Sequence, residues 1–359
     1  MAIANARTDR ADARAEPAAK TTVHEATEAD RTQWDAFVAS HPDAAGYHEW
    51  AWRGVFERAF GHHGVYLVAR RGYDIDGVLP LIDVRSLLFG RFLTSLPFVS
   101  YGGVLARTAA AAGALKDAAT RLALERGCRH VELRHVRRQF PDVPVRQHKV
   151  AMRLALTGDL WNRLDRKVRN QIRKAQKSDL MVERAGADLL ADFYGVFARN
   201  MRDLGTPVYA LRFFAEILAA FPGRAQVLVV RHESRPVAAA VSLRTRRAAE
   251  LPWASSLREF NQLCPNHLLY WRAIEAAFTE GADTFDFGRS TPDCGTYRFK
   301  AQWGAVPTPL HWEYTYLADG NLPDQGPTNP RFQPAIALWK RMPLGLANAL
   351  GPRIVRGIP

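Results

Sequence analysis

Two distant segments, ERGCRHVELR and EGADTFDFGR, align on Gly127 and Gly281, with Val131 and Leu133 matching Phe285 and Phe287. Each follows the same run of elements: strand, turn, strand, a further strand, an alanine-rich or amphipathic helix, then one more strand. In the first half these are GVYLVARRGYDIDGVLPLIDVRS, RFLTSLPFVS, a helix from Ala109 to Arg126, and CRHVELRHV. In the second they are AQVLVVRHESRPVAAAVSLRTR, AELPWASS, CPNHLLYWRAIEAAFTEG with Asn266 as its N-cap, and ADTFDFGR. A duplication of about 150–160 residues is far longer than a solenoid period. It predicts two related lobes of mixed helix and strand with a cleft between them.

Other segments fall around this repeat. RTQWDAFVAS and EWAWRGVFERAFG read as helices with one apolar face each. The second half opens with DLWNRLDRKVRNQIRKAQKSD, predicted as one long helix with Trp161, Leu164, Val168, Ile172 and Ala175 on one side and Arg166, Arg169, Arg173 and Lys177 on another. Residues 1–22 mix alanine with both charge signs and read as a disordered tail. After Asp319 the chain is rich in proline and glycine. It closes on a basic amphipathic helix, which is expected to pack back on the first domain. The domain division is therefore 1–22, 23–150, 151–318 and 319–359.

The charge balance narrows the partners. Forty-nine Lys and Arg against 36 Asp and Glu leave a formal charge of +13, which favours anionic ligands. Cys128, Cys264 and Cys294 form no CxxC pair, so neither a disulfide framework nor a thiolate zinc site is expected. No HExxH, GxGxxG or GxxxxGK is present, and no metal is expected. The chain has no apolar run long enough to span a bilayer.

One stretch concentrates the chemistry: FDFGRSTPDCGTYRFKAQWG, from Phe285 to Gly304. Phe285 and Phe287 share one face of a strand and Asp286 takes the other. Arg289 and Ser290 then stand at its carboxyl end, where open α/β sheets bind ligands. A short helix behind them puts Phe299 and Trp303 inward and Thr296 and Lys300 on another face, with Tyr297 close by. Backbone N–H groups of that helix, Arg289 and Lys300 form a candidate anion pocket; a structural loop with solvated charges is the plainer alternative. Residues 166–177 carry six Lys or Arg and no acid, so an anion would relieve their mutual repulsion. Arg166, Arg169 and Arg173 are accordingly candidates for ligand contact, against the alternative of a solvated face. NMRDLGTPVYALRFF offers Asn200, Arg202 and Tyr209 as cleft-lining residues, against a simple helix–loop–helix connection.

RKVRNQIRKAQKSDLMVE, RNMRDLGTPVYALRFF, NHLLYWRAIEAAFTEGADTFDFGRS and GTYRFKAQWG together resemble the FemAB-type transferases, nearest the branch associated with exosortase and PEP-CTERM systems of Gram-negative bacteria. The resemblance implies an α/β fold of mixed sheets: two tandem GNAT-like acyltransferase domains with a cleft between them. It implies transfer of an acyl or aminoacyl group to an amine or hydroxyl of a cell-envelope glycan or exopolysaccharide precursor. It places the Phe-Lys of the family motif on Phe299-Lys300 and so marks Lys300 as the catalytic candidate; Asp286 is expected to accept a proton or orient Arg289, against the equal alternative of a structural salt bridge. Arg289, Ser290, Arg166, Arg169, Arg173, Asn200, Arg202, Tyr209, Asn266 and Tyr297 are the substrate-binding candidates. No cofactor is expected to stay bound; acyl-CoA or aminoacyl-tRNA is the expected donor substrate. The expected partners are a phosphorylated glycan or lipid-linked precursor, not DNA, met by a monomer or weak dimer. A cytoplasmic setting with peripheral inner-membrane contact fits this chemistry. The alternative is a non-catalytic anionic-glycan or RNA-binding protein on the same fold.

Overall fold

Residues 20–317 and 330–358 are described by the computed structural model of this chain. The strands are β1 (Thr21–Glu25), β2 (His63–Arg71), β3 (Asp74–Ser86), β4 (Gly90–Thr94), β5 (Leu105–Ala106), β6 (His130–His135), β7 (Val145–Arg146), β8 (Val150–Ala155), β9 (Leu180–Ala185), β10 (Ala225–His232), β11 (Arg235–Thr245), β12 (Ala248–Ser256), β13 (Thr284–Ser290), β14 (Val306–Pro309) and β15 (His311–Tyr316). They form two sheets, ordered β1-β2-β3-β4-β6-β15-β7, with β5 on β3, and β14-β8-β13-β12-β11-β10-β9.

Each sheet has one parallel pair, β4 with β6 and β12 with β13. A parallel step needs a crossover, and a helix supplies it in both lobes: Ala109–Glu125 in the first and Pro265–Thr279 in the second. Both parallel pairings are short. Only Leu93↔Val131 and Thr94↔Glu132 join the first pair; Ala248↔Thr284, Ala249↔Phe285 and Glu250↔Asp286 join the second. Beyond these rungs the parallel pairing stops in both sheets.

Three apolar clusters hold the molecule. One lies under the Ala109–Glu125 helix, with Leu79, Leu115 and Leu133. Another lies under the Pro265–Thr279 helix, with Leu268, Ile274, Phe285 and Phe287. The third is shared by the lobes and contains Trp34, Trp52 and Phe56 beside Phe193, Phe213, Phe214 and Trp253. Phe213 stands 5.0 Å from Phe60 and 5.3 Å from Trp253, ring to ring. Arg224 makes paired hydrogen bonds to Glu49 at 3.0 and 2.6 Å across the same seam.

Several expectations need revision. The chain returns after the second lobe, and β15 pairs with β6 in the first sheet; the first lobe therefore draws on residues 311–316 as well as the N-terminal half. The predicted long basic helix is two, Leu160–Arg163 and Arg166–Gln176, because Leu164 turns extended and Asp165 caps the second by accepting from the Lys167 N–H. The N-cap of the Pro265–Thr279 helix is Cys264, in left-handed geometry, with Pro265 at the first helical position; Asn266 lies inside the first turn. The C-terminal region forms two helices, Gln333–Arg341 and Leu344–Val355. They lean chiefly on the Leu190–Leu204 helix of the second lobe, where Arg202 donates to the Met342 carbonyl at 2.9 Å. The first lobe is reached at the very end, where Gly357 meets Ser86. Gly351 makes the close approach possible: a Cβ there would come within 2.9 Å of the Val208 nitrogen. The tail expected over 1–22 falls outside the described residues up to residue 19, as do 318–329 of the Pro-rich segment.

Candidate functional site

The second crevice begins at the last β12–β13 rung, Glu250↔Asp286. Alternation drives both carboxylates to the face opposite Phe285, Phe287 and Leu251, which are buried in the outer cluster. That face meets the first lobe, so both side chains are enclosed, at 6% and 3% exposure. Asp286 is fully engaged: it accepts from the Tyr101 hydroxyl at 3.1 Å, from Arg153 Nε at 3.1 Å and from the Gly288 N–H at 2.8 Å. Glu250 is not. Its Oε1 has no hydrogen-bond partner, and burial, reinforced by the charge of Asp286, pushes its carboxyl up to about 8.

Lys300 comes in from the short helix Gly295–Ala301 and is buried. Its ammonium donates to the Gly288 and Arg289 carbonyls, both at 3.0 Å. Those carbonyls lie past the last β12–β13 rung, in the bulge of β13 against β8, where strand pairing is interrupted. Burial pulls the lysine down to about 8, while the negative charges of Asp286 and Glu250 hold it up. Lys300 makes no ion pair with either carboxylate, but both lie near enough for their charge to act on it, and Glu250 is a residue the sequence reading did not single out. A carboxylate alone in the apolar strand AELPWASS is the sequence signal that would have found it.

The two lobes differ at this point for a visible reason. By the Gly127–Gly281 alignment, Glu132 matches Asp286 and Arg134 matches Gly288. In the first lobe Arg134 occupies the crevice: it is fully buried, bonds Glu132 at 2.5 Å, and donates to the Leu96 and Val99 carbonyls at 3.4 and 3.1 Å. Leu96 and Phe98 take positive φ of 51° and 69° to shape this segment, strain that the arginine contacts hold in place. In the second lobe Gly288 has φ 74° and no side chain; a Cβ there would sit 3.4 Å from Pro252 Cα. The second lobe thus has a glycine, closely approached by the Pro252 backbone, where the first has a buried arginine.

Other candidate residues lie on β12, β13 and the elements next to them. On the β12 side, Asn200 donates to Ser255 Oγ at 3.0 Å. On the β13 side stands Ser290, buried, its Oγ without a partner. Asn266 has an enclosed Oδ1 that is likewise unpartnered, and Tyr297 packs against the outer cluster.

The remaining candidates lie elsewhere. Arg289 reaches into the first lobe, donates to the Val99 carbonyl at 3.2 Å and stacks over Trp312 at 5.5 Å. It shares that carbonyl with Arg134, so it clamps the lobes together rather than standing free for a ligand. Arg202 is spent on Asp203 and the Met342 carbonyl. Tyr209 is packed among Phe98, Phe197, Phe213 and Phe214. Arg173 stacks on Trp161 at 5.3 Å and Arg169 reaches toward Asn162. The basic helix lies over the Pro265–Thr279 helix, apart from the residues that line the interlobe cavity. The expected single pocket uniting Arg289, Lys300 and the Arg166–Arg173 stripe is not formed.

A cavity of about 540 Å³ does lie between the lobes. Glu250, Asp286, Tyr101 and Arg153 line it, with Arg134, Arg137, Arg246 and Arg247 adding positive charge. Two histidines also line it, but both are committed to structure. His48 bonds the Gly103 carbonyl and the Ala45 N–H, and burial depresses it to about 4. His135 bonds Glu313 and the Val104 N–H. Among the described residues no cluster of three or more His, Cys, Asp or Glu side chains could hold a metal ion.

Two lobes of one design, each with one short parallel strand pair, make a tandem GNAT fold. Residues 162–301 match the acetyltransferase (GNAT) domain family. The structure resembles the crystal structure of FemX, with a TM-score of 0.61 and 16% identity over 81% of this chain and 96% of that one. It also resembles a tandem GNAT protein from the clavulanic acid biosynthesis pathway, with a TM-score of 0.54 and 12% identity over 84% and 99% of the two chains. L-PGS from Bacillus licheniformis superimposes with a TM-score of 0.54 and 11% identity over 87% and 96%. No curated protein matches the sequence. The two-lobed arrangement is FemAB-like.

Proposed function

We propose that this protein transfers an acyl or aminoacyl group to an amine of an anionic acceptor, with Glu250 as the proton acceptor and Lys300 beside the donor carbonyl. The observation that carries the reading is the enclosed Glu250–Asp286–Lys300 group at the point where β12 and β13 part. The acyl donor, acyl-CoA or aminoacyl-tRNA, enters between the carboxyl ends of the two strands. The acceptor enters from the interlobe cavity, where Arg137, Arg153, Arg246 and Arg247 suit a phosphate-bearing molecule. A phosphorylated glycan or lipid-linked envelope precursor has that chemistry.

In the reaction the acceptor nitrogen attacks the donor carbonyl, and its proton passes to Glu250, which must be ionised to take it. The C–S or C–O bond to the donor then breaks, and the protonated Glu250 returns its proton to the leaving thiolate or alkoxide, which regenerates the carboxylate. An ammonium has three N–H groups; Lys300 gives two to backbone carbonyls, and the third is assigned to the developing oxyanion. Asp286, held by three donors, keeps Arg153 and the Gly288 turn in place. The test is transfer from labelled acetyl-CoA, and separately from charged tRNA, to a UDP-linked amino sugar. Lys300→Ala is expected to lower turnover about 10²-fold, with a melting curve to confirm folding. Unchanged turnover in a folded variant removes Lys300 from the scheme.

A further inference from the structure

The helix Leu344–Val355 carries two apolar stripes. Ala347, Gly351 and Val355, four apart, are buried against the protein. Leu346, Leu350 and Ile354, with the same spacing, face outward at 56%, 39% and 41% exposure. One apolar stripe suffices to dock a helix on its own domain; the second has no partner among the described residues. Where this helix ends, Gly357 abuts Ser86. Ser86 opens the β3–β4 turn, whose next two residues, Leu87 and Leu88, are exposed at 107% and 71%. Two segments far apart in the chain therefore bring exposed aliphatic side chains to adjoining positions.

The charge around them is of one sign. Residues 330–358 hold five Lys or Arg and no Asp or Glu. Arg353 and Arg356 are exposed on the same helix, and Arg85 is exposed beside the turn. We propose that this face docks on the surface of an anionic lipid bilayer. Exposed aliphatic residues would enter the headgroup boundary and the surrounding cations would meet acidic lipid. Among the described residues no helix is long and apolar enough to cross a membrane, so the mode is lying on the surface. A second copy of the chain is the poorer occupant, because a two-fold contact would set cations against cations. The two-helix unit rests on the Leu190–Leu204 helix, which also carries Asn200 of the crevice wall. The docking does not depend on what the crevice transfers.

Flotation of the full chain with vesicles of phosphatidylcholine alone, or mixed with phosphatidylglycerol, tests it. Binding is expected to the mixed vesicles, to weaken with added salt, and to fall about tenfold in Leu346→Ser/Leu350→Ser and, separately, in Leu87→Ser/Leu88→Ser. All four positions are exposed, so the melting temperatures are expected to match wild type. The proposal is overturned by equal recovery on both vesicle types, or by variants that bind as wild type. It is likewise overturned if sedimentation shows a dimer that the same leucine substitutions dissolve.

Discussion

Replacing Glu250 by Gln isolates the protonation of one buried carboxyl without changing its shape. The group's ordinary value is 4.5, and the folded state raises it to about 8. Between those values the unfolded chain has released the proton and the folded chain has kept it. The unfolded state then binds fewer protons, so stability falls as pH rises through this window. From about pH 5 to about pH 7.5, at about 1.4 kcal/mol per pH unit, wild type loses roughly 3 kcal/mol that the glutamine variant does not. Unfolding entropy of ~2.1 cal/mol/K per residue puts the chain near ~0.7 kcal/mol/K, so the melting temperatures diverge by roughly 4 °C. Titrating groups far from Glu250 are common to both proteins and cancel in the difference; Lys300, which the Glu250 charge holds up, does not, but it titrates near the upper end of this range. Thermal melts of the pair at both pH values are the assay. Transfer activity should move the other way: in wild type it rises as Glu250 ionises toward pH 8, and in Glu250→Gln it is about 10²–10⁴-fold lower. Melting curves that stay parallel across this range would refute the reasoning, because the carboxyl would then be titrating as it does in water.

Phe213→Ala empties a fully buried position shared by the lobes and is expected to cost about 3–5 kcal/mol in urea unfolding; a loss under about 1 kcal/mol would mean that the seam repacks freely. Gly288→Ala forces a side chain into φ 74° against Pro252, so a destabilisation of about 1–2 kcal/mol and a narrower crevice are expected. Melting and transfer assays on the same preparation check both effects, and wild-type turnover there would detach the Gly288 turn from catalysis.

Much of the fold was legible because its signals are local. The Gly127–Gly281 alignment depends only on helix ends and strand alternation, and both lobes carry it. The break at Leu164 was not legible: Trp161, Leu164 and Val168 keep helical spacing across it, and only the Asp165 cap shows where the second helix starts. At the proposed site, Lys300 and Asp286 could be picked out together because they lie in one short segment. Glu250 lies far from that segment in the chain, and nothing in AELPWASS says which strand will run beside it. Arg289 misled for the opposite reason, since its position at a strand end suits a ligand until the first lobe supplies the Val99 carbonyl and Trp312.

The amino-acid sequence by itself determined that this protein has two related α/β lobes, an excess of positive charge and a lysine behind the last strand of the second lobe. Those properties follow from periodicity, composition and turn chemistry along the chain. Only the tertiary structure decided which arginines are consumed as struts, and that a carboxyl with an unpartnered oxygen faces the interlobe cavity. Burial and partner supply are properties of what the other lobe brings to a residue, and no local pattern records them.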